Sequence, residues 1–196
     1  MAMTSNKKTA AAFIGAMVLT CVVSATYLLT IGIDDASISL ALRVSGRVAF
    51  LVLLVVFAAR PLQQLLRAPW TAKLLRNRKL LGVAFAGIHT AHFGLILMRD
   101  AHVPEFDLTV SWSGATIYSF MYLMVITSFS GPARAIGQKA WKVLHKLGLF
   151  ILFAGFSLSQ IPRSIDQLEL ANAVLIVLAV AALLVRIVAF FKKQRS

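Results

Sequence analysis

Cysteine, charged residues and long polar stretches are scarce in this 196-residue sequence. Cys21 is the single cysteine and lies inside an apolar run, which excludes an intramolecular disulfide, a thiolate metal cluster and a Cys-x-x-Cys redox motif. Only 14% of the residues are charged, whereas 59% are hydrophobic and the mean hydropathy is +0.83. Soluble domains do not have this composition. The sequence therefore predicts an integral membrane protein whose redox chemistry, if it has any, uses a bound cofactor.

Acidic residues are especially rare, with seven Asp and Glu against twenty Lys and Arg, for a formal net charge of +13. The basic residues fall in short clusters between apolar runs and do not line one polar face. Membrane topology explains such clusters better than nucleic-acid binding does, so no nucleic-acid partner is expected. The lipid bilayer is the first partner that the sequence predicts.

Long apolar runs are plentiful. A bilayer core about 30 Å thick requires roughly 20 apolar residues per helix, and such runs lie at 9–31, 39–59, 80–98, 113–130, 142–160 and 168–190. Most Lys and Arg fall on one set of connections and at the two chain ends, and the other connections hold all the acids: Asp34, Asp35, Asp100, Glu105, Asp107, Asp166 and Glu169. The positive-inside rule then predicts an all-α membrane protein, one domain over 1–196, with six transmembrane helices and both termini cytoplasmic.

The connection at 60–79 contains Pro61, Pro69 and Trp70 among basic residues. This composition predicts a short interfacial helix on anionic headgroups or a docking surface for a cytoplasmic partner. No connection is long enough for a nucleotide-binding domain, and no Gly-rich phosphate motif follows a strand-like run. The sequence therefore predicts no NAD(P)H or flavin domain among these residues.

Ionisable residues inside the predicted spans are the candidate site residues, because each costs roughly 2.5–3.5 kcal/mol to insert. His89 and His92 are three apart on the third helix and share one face, and His145 lies near the start of the fifth. Histidines on facing helices of a dry bundle are suitable axial ligands for haem iron. Arg43 and Arg47, four apart on the second helix, suit carboxylates such as haem propionates.

Each of these side chains also has a structural interpretation. A buried histidine can form a hydrogen bond between helices, and Arg43 can extend to the outer headgroups. His102 lies among acids in an outer connection and is expected to be a solvated surface residue. Arg186, near the end of the sixth span, is expected to extend to the headgroups.

Several short motifs resemble the ferric-reductase-like transmembrane family, and most closely its short bacterial branch of haem-binding subunits. They are SGR at 45–47, RPL at 60–62, RKLLG at 78–82, His92, and WKVLH at 141–145. Their order, spacing and placement on the helices extend the resemblance over about residues 39–160, and the outer helices match only in hydropathy. The resemblance implies a ferric-reductase-like helical bundle in the bacterial inner membrane.

In this family the third and fifth helices carry the axial ligands of an inner and an outer b-type haem. The resemblance implies that His92 is the outer-level ligand and His145 the inner-level ligand, both on haem iron. Two family histidines are missing, because Leu158 stands at the second position on the fifth helix and Arg78 at the inner level of the third. His89 is an additional histidine that can replace one of them.

Two haem arrangements follow. In the first, one haem b is held between His145 and either His89 or His92. In the second, two haems are each held by one histidine. We favour the single haem, because an unpaired site makes a slower electron-transfer centre, and we expect Arg47 and Arg43 to hold its propionates.

The sequence therefore predicts a membrane cytochrome that serves as the electron-transfer subunit of an oxidoreductase system. Its partners would be redox proteins on the cytoplasmic and periplasmic sides, with a flavin reductase or a quinol as the donor. The alternative is a haemless scaffold or assembly subunit that kept the fold after losing ligands such as the one replaced by Leu158. A small transporter is disfavoured, because the sequence has neither an internal repeat nor an acidic residue in mid-span.

Overall fold

Helices make up almost all of the described chain. A computed structural model of the protein describes residues 2–102, 112–167 and 170–194. In chain order the helices are α1 (Ala2–Ile31), α2 (Asp35–Leu66), α3 (Pro69–His102), α4 (Trp112–Ile126), α5 (Ser130–Gln167) and α6 (Leu170–Gln194). The predicted all-α architecture with six helices is confirmed, while Glu105, Asp107 and Glu169 lie outside the described residues.

Five of the helices contain segments long and apolar enough to cross a membrane: Thr4–Ile31, Asp35–Leu66, Pro69–His102, Ser130–Ser159 and Leu170–Gln194. The apolar part of α4 is shorter, at Gly114–Ile126. The helix ends before the predicted residue 130, and the amides of Ser128 and Phe129 bond to carbonyls three residues earlier, as in a tightened last turn. The chain is a multi-pass membrane protein.

The prediction of a separate, short interfacial helix at 60–79 is wrong. Helix α2 continues through Pro61 to Leu66 and α3 begins at Pro69, so only two residues separate them. Arg67, with φ 50° and ψ 29°, ends α2 and donates its N–H to the carbonyl of Gln63. Pro69 stands where a helix needs no amide proton. The basic residues end the apolar run without ending the helix, because Lys and Arg have high helix propensity.

Helix α3 has a central position, packed against α1, α2 and α4. Helix α1 comes very close to it at Gly87, where a Cβ would lie 2.3 Å from the carbonyl oxygen of Phe13. The core is aromatic, with the rings of Phe57 and Phe153 stacked at 4.0 Å. The apolar side chains on the outside of the bundle face lipid, which replaces water as the solvent of these helices.

The two ends of the bundle differ in charge. Where α2 begins, the carboxylate of Asp34 accepts the N–H of Ser37 at 2.7 Å, and this bond holds the pKa of Asp34 below its ordinary value. Nearby, Arg99 at the end of α3 pairs with Asp35 at 2.9 Å. We call this the acidic end. The opposite end, where α2 ends and α3 begins, is the basic end.

Candidate functional site

A cavity of about 540 Å³ lies between the helices near the basic end. Its volume is within the range of about 300–1,000 Å³ found for small-molecule and cofactor sites. Apolar side chains from four helices form most of its wall: Leu53 and Val56 of α2, Phe85 and Ala86 of α3, Met121 and Met124 of α4, and Leu149 and Leu152 of α5. The cavity can therefore hold a flat, largely apolar group.

Cationic side chains line the same cavity. They are Arg60, Arg78, Lys79, Lys142, Lys146 and Arg186. Within the described ranges, no carboxylate lies among the side chains that line it. Like charges repel more strongly away from bulk water, and an anion within the cavity relieves that repulsion. The cavity thus favours an apolar ligand that carries negative charge at one edge.

A proline in α2 explains the position of Arg186. Pro61 has no N–H for the carbonyl of Phe57, four residues earlier. Arg186 Nη1 donates to that carbonyl oxygen at 3.1 Å, and its guanidinium lies 4.3 Å from the centroid of the Phe57 ring. Arg186 therefore turns into the bundle, and the expectation that it extends to the headgroups is wrong. The sequence signal for this contact is Pro61 inside a helical run.

His145 lies on the α5 wall of the cavity. Its Nε2 is 3.0 Å from Oγ1 of Thr127, in the turn between α4 and α5. Its ring stacks on the indole of Trp141, with 4.2 Å between the centroids. Trp141 in turn donates its indole N–H to the carbonyl of Thr127 at 2.8 Å. The turn and the first part of α5 therefore fix the imidazole at the edge of the cavity.

His89 and His92 form a second cluster that does not line this cavity. Their rings stack with 5.1 Å between the centroids. His92 Nδ1 is 2.9 Å from Oγ of Ser45 on α2. The buried His89 ring also stacks on Tyr118 at 4.7 Å, and its Nδ1 has no hydrogen-bond partner among the described residues. The two histidines thus share one face of α3, as their spacing predicts.

The structure does not bring His145 together with this pair. The ring of Phe156 on α5 lies 4.8 Å from that of His89, whereas His145 comes eleven residues earlier, about 16 Å along the helix axis. Phe85 lines the cavity and its ring also stacks on that of His89, with 5.8 Å between the centroids, so it lies between the cavity and the pair. The histidines therefore lie at two levels, and a single haem that bridges them stays a prediction.

The predicted propionate ligands lie away from the cavity. Arg47 donates through Nε and Nη2 to Oδ1 of Asn172 on α6, at 3.2 and 3.1 Å. Arg43 is exposed on α2. Neither arginine lines the cavity, which has Arg60, Arg78 and Arg186 instead. Arg60 and Arg78 belong to the RPL and RKLLG motifs of the sequence, but their convergence with Arg186 depends on how α2, α3 and α6 pack.

Leu158 and His102 both lie on the outside of the bundle. Leu158, at the position where the motif resemblance predicts a histidine, is 64% exposed and faces outward. A histidine at this position of the bundle would not face His92. His102 is exposed, as expected, and its Nδ1 donates to the carbonyl of Met98 at 2.8 Å.

The fold and this cavity define a class: an all-helical, multi-pass membrane protein with a basic, histidine-bearing internal site. The chain is similar to the protein-methionine-sulfoxide reductase heme-binding subunit MsrQ of Deinococcus radiodurans. The two are 29% identical over 113 residues, which is 53% of this chain and 52% of the relative. The chain thus spans about half the length of the curated relative it matches.

This match confirms the resemblance that the motifs predict to a haem-binding membrane subunit. No family model matches the chain. No solved structure matches it either.

Proposed function

We propose that the protein binds haem b in the cavity at the basic end and serves as a membrane electron-transfer subunit. The observation that carries this proposal is the imidazole of His145 on the wall of an apolar cavity of about 540 Å³. Similarity to a subunit whose name states haem binding supports it. The ferric-reductase-like arrangement of the helices is part of the same proposal.

The residues present fit haem in three respects. His145 supplies a nitrogen ligand for iron, and the apolar and aromatic walls offer a surface on which a macrocycle can pack. Arg60, Arg78 and Arg186 lie where carboxylates need cationic partners, and we assign the propionates to them in place of Arg47 and Arg43. When bound, haem supplies reversible one-electron chemistry at its iron.

Of the two haem arrangements, we favour separate levels, because Phe85 lies between the cavity and the pair. His145 is then the ligand at the basic end. His92, with His89 beside it, is the candidate ligand for a second haem nearer the acidic end. The unpartnered Nδ1 of His89 is the observation that favours a ligand at this second level.

The charge distribution supports an orientation in the bilayer. The basic end faces the cytoplasm by the positive-inside rule, so that both termini are cytoplasmic and the membrane is the bacterial inner membrane. The electron donor then approaches the basic end as a redox protein or a quinol. The acceptor that we propose is a periplasmic oxidoreductase at the acidic end, consistent with the reductase system named for the relative.

Visible spectra of the purified protein test this function. The protein is expressed with ample haem, purified in mild detergent, and reduced-minus-oxidised spectra are recorded. We expect a Soret and α-band shift, which His145→Ala abolishes at the basic-end site. His102→Ala is the matched control, because this exposed histidine faces away from the cavity. If His145→Ala kept the wild-type spectra and His92→Ala lost the haem, the haem would lie at the level of His92 and the proposed site at His145 would be wrong.

A haemless scaffold is the second candidate function. It is favoured by the hydrogen bonds of His145 to the turn after α4 and of His92 to α2, which satisfy one nitrogen of each ring without any ligand, and by the outward-facing Leu158. An absent Soret band after expression with ample haem, in protein that remains folded, would establish the scaffold and exclude the cytochrome.

A further inference from the structure

Two hydroxyl groups contact the histidines, and each already donates its proton elsewhere. Ser45 Oγ donates to the carbonyl of Ala41 at 2.7 Å. Thr127 Oγ1 donates to the carbonyl of Leu123 at 2.6 Å. A hydroxyl has one proton and two lone pairs, and a carbonyl oxygen can only accept. Each hydroxyl oxygen therefore meets its histidine as an acceptor.

The histidine nitrogen at each contact must then be the donor. His92 donates Nδ1–H to Ser45 across 2.9 Å. His145 donates Nε2–H to Thr127 across 3.0 Å. A neutral imidazole carries one N–H, so the other ring nitrogen holds the lone pair. That nitrogen is Nε2 in His92 and Nδ1 in His145.

We propose that Ser45 and Thr127 are positioning residues that fix opposite tautomers, with the lone pair on Nε2 of His92 and on Nδ1 of His145. A hydrogen bond to one ring nitrogen decides which nitrogen meets a metal. The tautomers themselves do not depend on haem. Their consequence, that Thr127 would orient the imidazole of His145 beside a bound haem, rests on the proposed function.

Neighbouring groups oppose a ring flip that would exchange the nitrogens. Gly46 lets the His92 ring lie against α2, since a Cβ there would be only 3.3 Å from Cε1 of the ring. At His145, the Trp141 indole stacks on the imidazole, and its N–H donates to the Thr127 carbonyl at 2.8 Å. Ser45 and Gly46 of the SGR motif therefore position the His92 ring. Trp141 of the WKVLH motif positions the His145 ring.

Nitrogen NMR of haem-free protein tests the tautomers directly. The chain is labelled with ¹⁵N-histidine, placed in lipid nanodiscs, and studied well above the ordinary imidazole pKa of about 6.5. Pyridine-type and pyrrole-type nitrogens have well-separated shifts, and His92→Asn and His145→Asn assign the signals by their loss. We expect the pyridine-type nitrogen at Nε2 of His92 and at Nδ1 of His145.

Substitution of each hydroxyl should release one histidine and leave the other unchanged. In Thr127→Val the His145 signals move toward a mixture of tautomers while those of His92 stay, and Ser45→Ala gives the reverse. Each variant thus contains its own test of folding. Thr127→Ser should restore the wild-type signals of His145. A pyridine-type Nε2 in wild-type His145, or no response to Thr127→Val in folded protein, would overturn the proposal.

A second measurement separates this inference from the proposed function. In haem-loaded protein, Thr127→Val should weaken haem binding by about 10- to 100-fold, the usual effect of losing a hydrogen bond to a metal ligand. Thr20→Val is the matched control, because among the described residues Thr20 bonds within α1, to the carbonyl of Ala16. A protein that binds no haem but shows the expected tautomers would refute the cytochrome and support the positioning roles.

Discussion

At the residue scale, polar side chains inside this bundle bond to main-chain carbonyls. Lipid cannot hydrogen-bond them, so most find a partner within the protein, and the buried Nδ1 of His89 is an exception. Ser45 bonds to a carbonyl of its own helix, and Thr127, in the turn after α4, bonds to a carbonyl of α4. Arg186 bonds to the carbonyl that Pro61 leaves without an amide. These contacts place hydroxyl and guanidinium groups beside the histidines and the cavity without any buried carboxylate among the described residues that line it.

A double-mutant cycle measures the coupling between Arg186 and Pro61. Arg186→Ala should lower the free energy of unfolding by about 1.5–3 kcal/mol, the usual worth of a hydrogen bond from a charged donor. In a Pro61→Ala background the new amide bonds to the Phe57 carbonyl, so the same substitution should cost less. Unfolding in detergent micelles measures both effects.

The control for this cycle is Arg134→Ala. Arg134 donates to the carbonyl of Ser130 at an exposed position and has no relation to Pro61. Its substitution should cost the same in both backgrounds. Strictly additive effects of Arg186→Ala and Pro61→Ala would contradict the assignment, because groups in contact usually couple by about 0.5–3 kcal/mol.

At the scale of elements, the helices extend beyond the apolar runs that identify them. Helices α2 and α3 continue through basic segments until Arg67 and Pro69 end and begin them. Helix α5 starts at Ser130, and Gly137, with φ 75°, marks a kink before its apolar part. Hydropathy indicates where a helix lies in lipid, but capping and turn residues decide where it ends.

Close approach of α1 and α3 depends on Gly87. In Gly87→Ala the added Cβ would lie 2.3 Å from the Phe13 carbonyl oxygen, a backbone atom that cannot move without shifting α1. We expect a loss of about 1–3 kcal/mol, as for other overpacked sites. Gly15→Ala on α1 has open space around the new methyl and should stabilise the helix by about 0.5–1 kcal/mol. Equal unfolding free energies for the two variants would contradict this packing.

At the scale of the whole molecule, charge separates the two ends of the bundle. Arg60, Lys79 and Lys142 lie at the cavity near one end, and Asp34 and Asp35 lie at the other. The proposed haem site is then on the side from which a cytoplasmic donor approaches.

Reporter fusions test this orientation. Green fluorescent protein fused after Ser196 should fluoresce and alkaline phosphatase at the same site should be inactive, because the positive-inside rule keeps that end in the cytoplasm. Fusions after Gly32, in the first acidic connection, should behave in the opposite way. Active phosphatase at the C-terminus would reverse the assignment of donor and acceptor sides.

Much of this architecture follows from the sequence. The membrane class and the order of six helices follow from apolar runs, because their length must match the bilayer. His89, His92 and His145 stand out because ionisable residues are costly in a span. The spacing of three residues places His89 and His92 on one face of α3, because residues three apart are neighbours on a helix surface.

Only the tertiary structure decided which of these residues meet. The rotation of each helix about its axis and its depth against its neighbours depend on interhelical packing, such as the contact at Gly87. That packing separates His145 from the His89 and His92 pair, directs Arg47 to Asn172, turns Leu158 outward and brings Arg186 to Phe57. Local sequence specifies the candidates for a site, whereas contacts between helices far apart in the chain select its members.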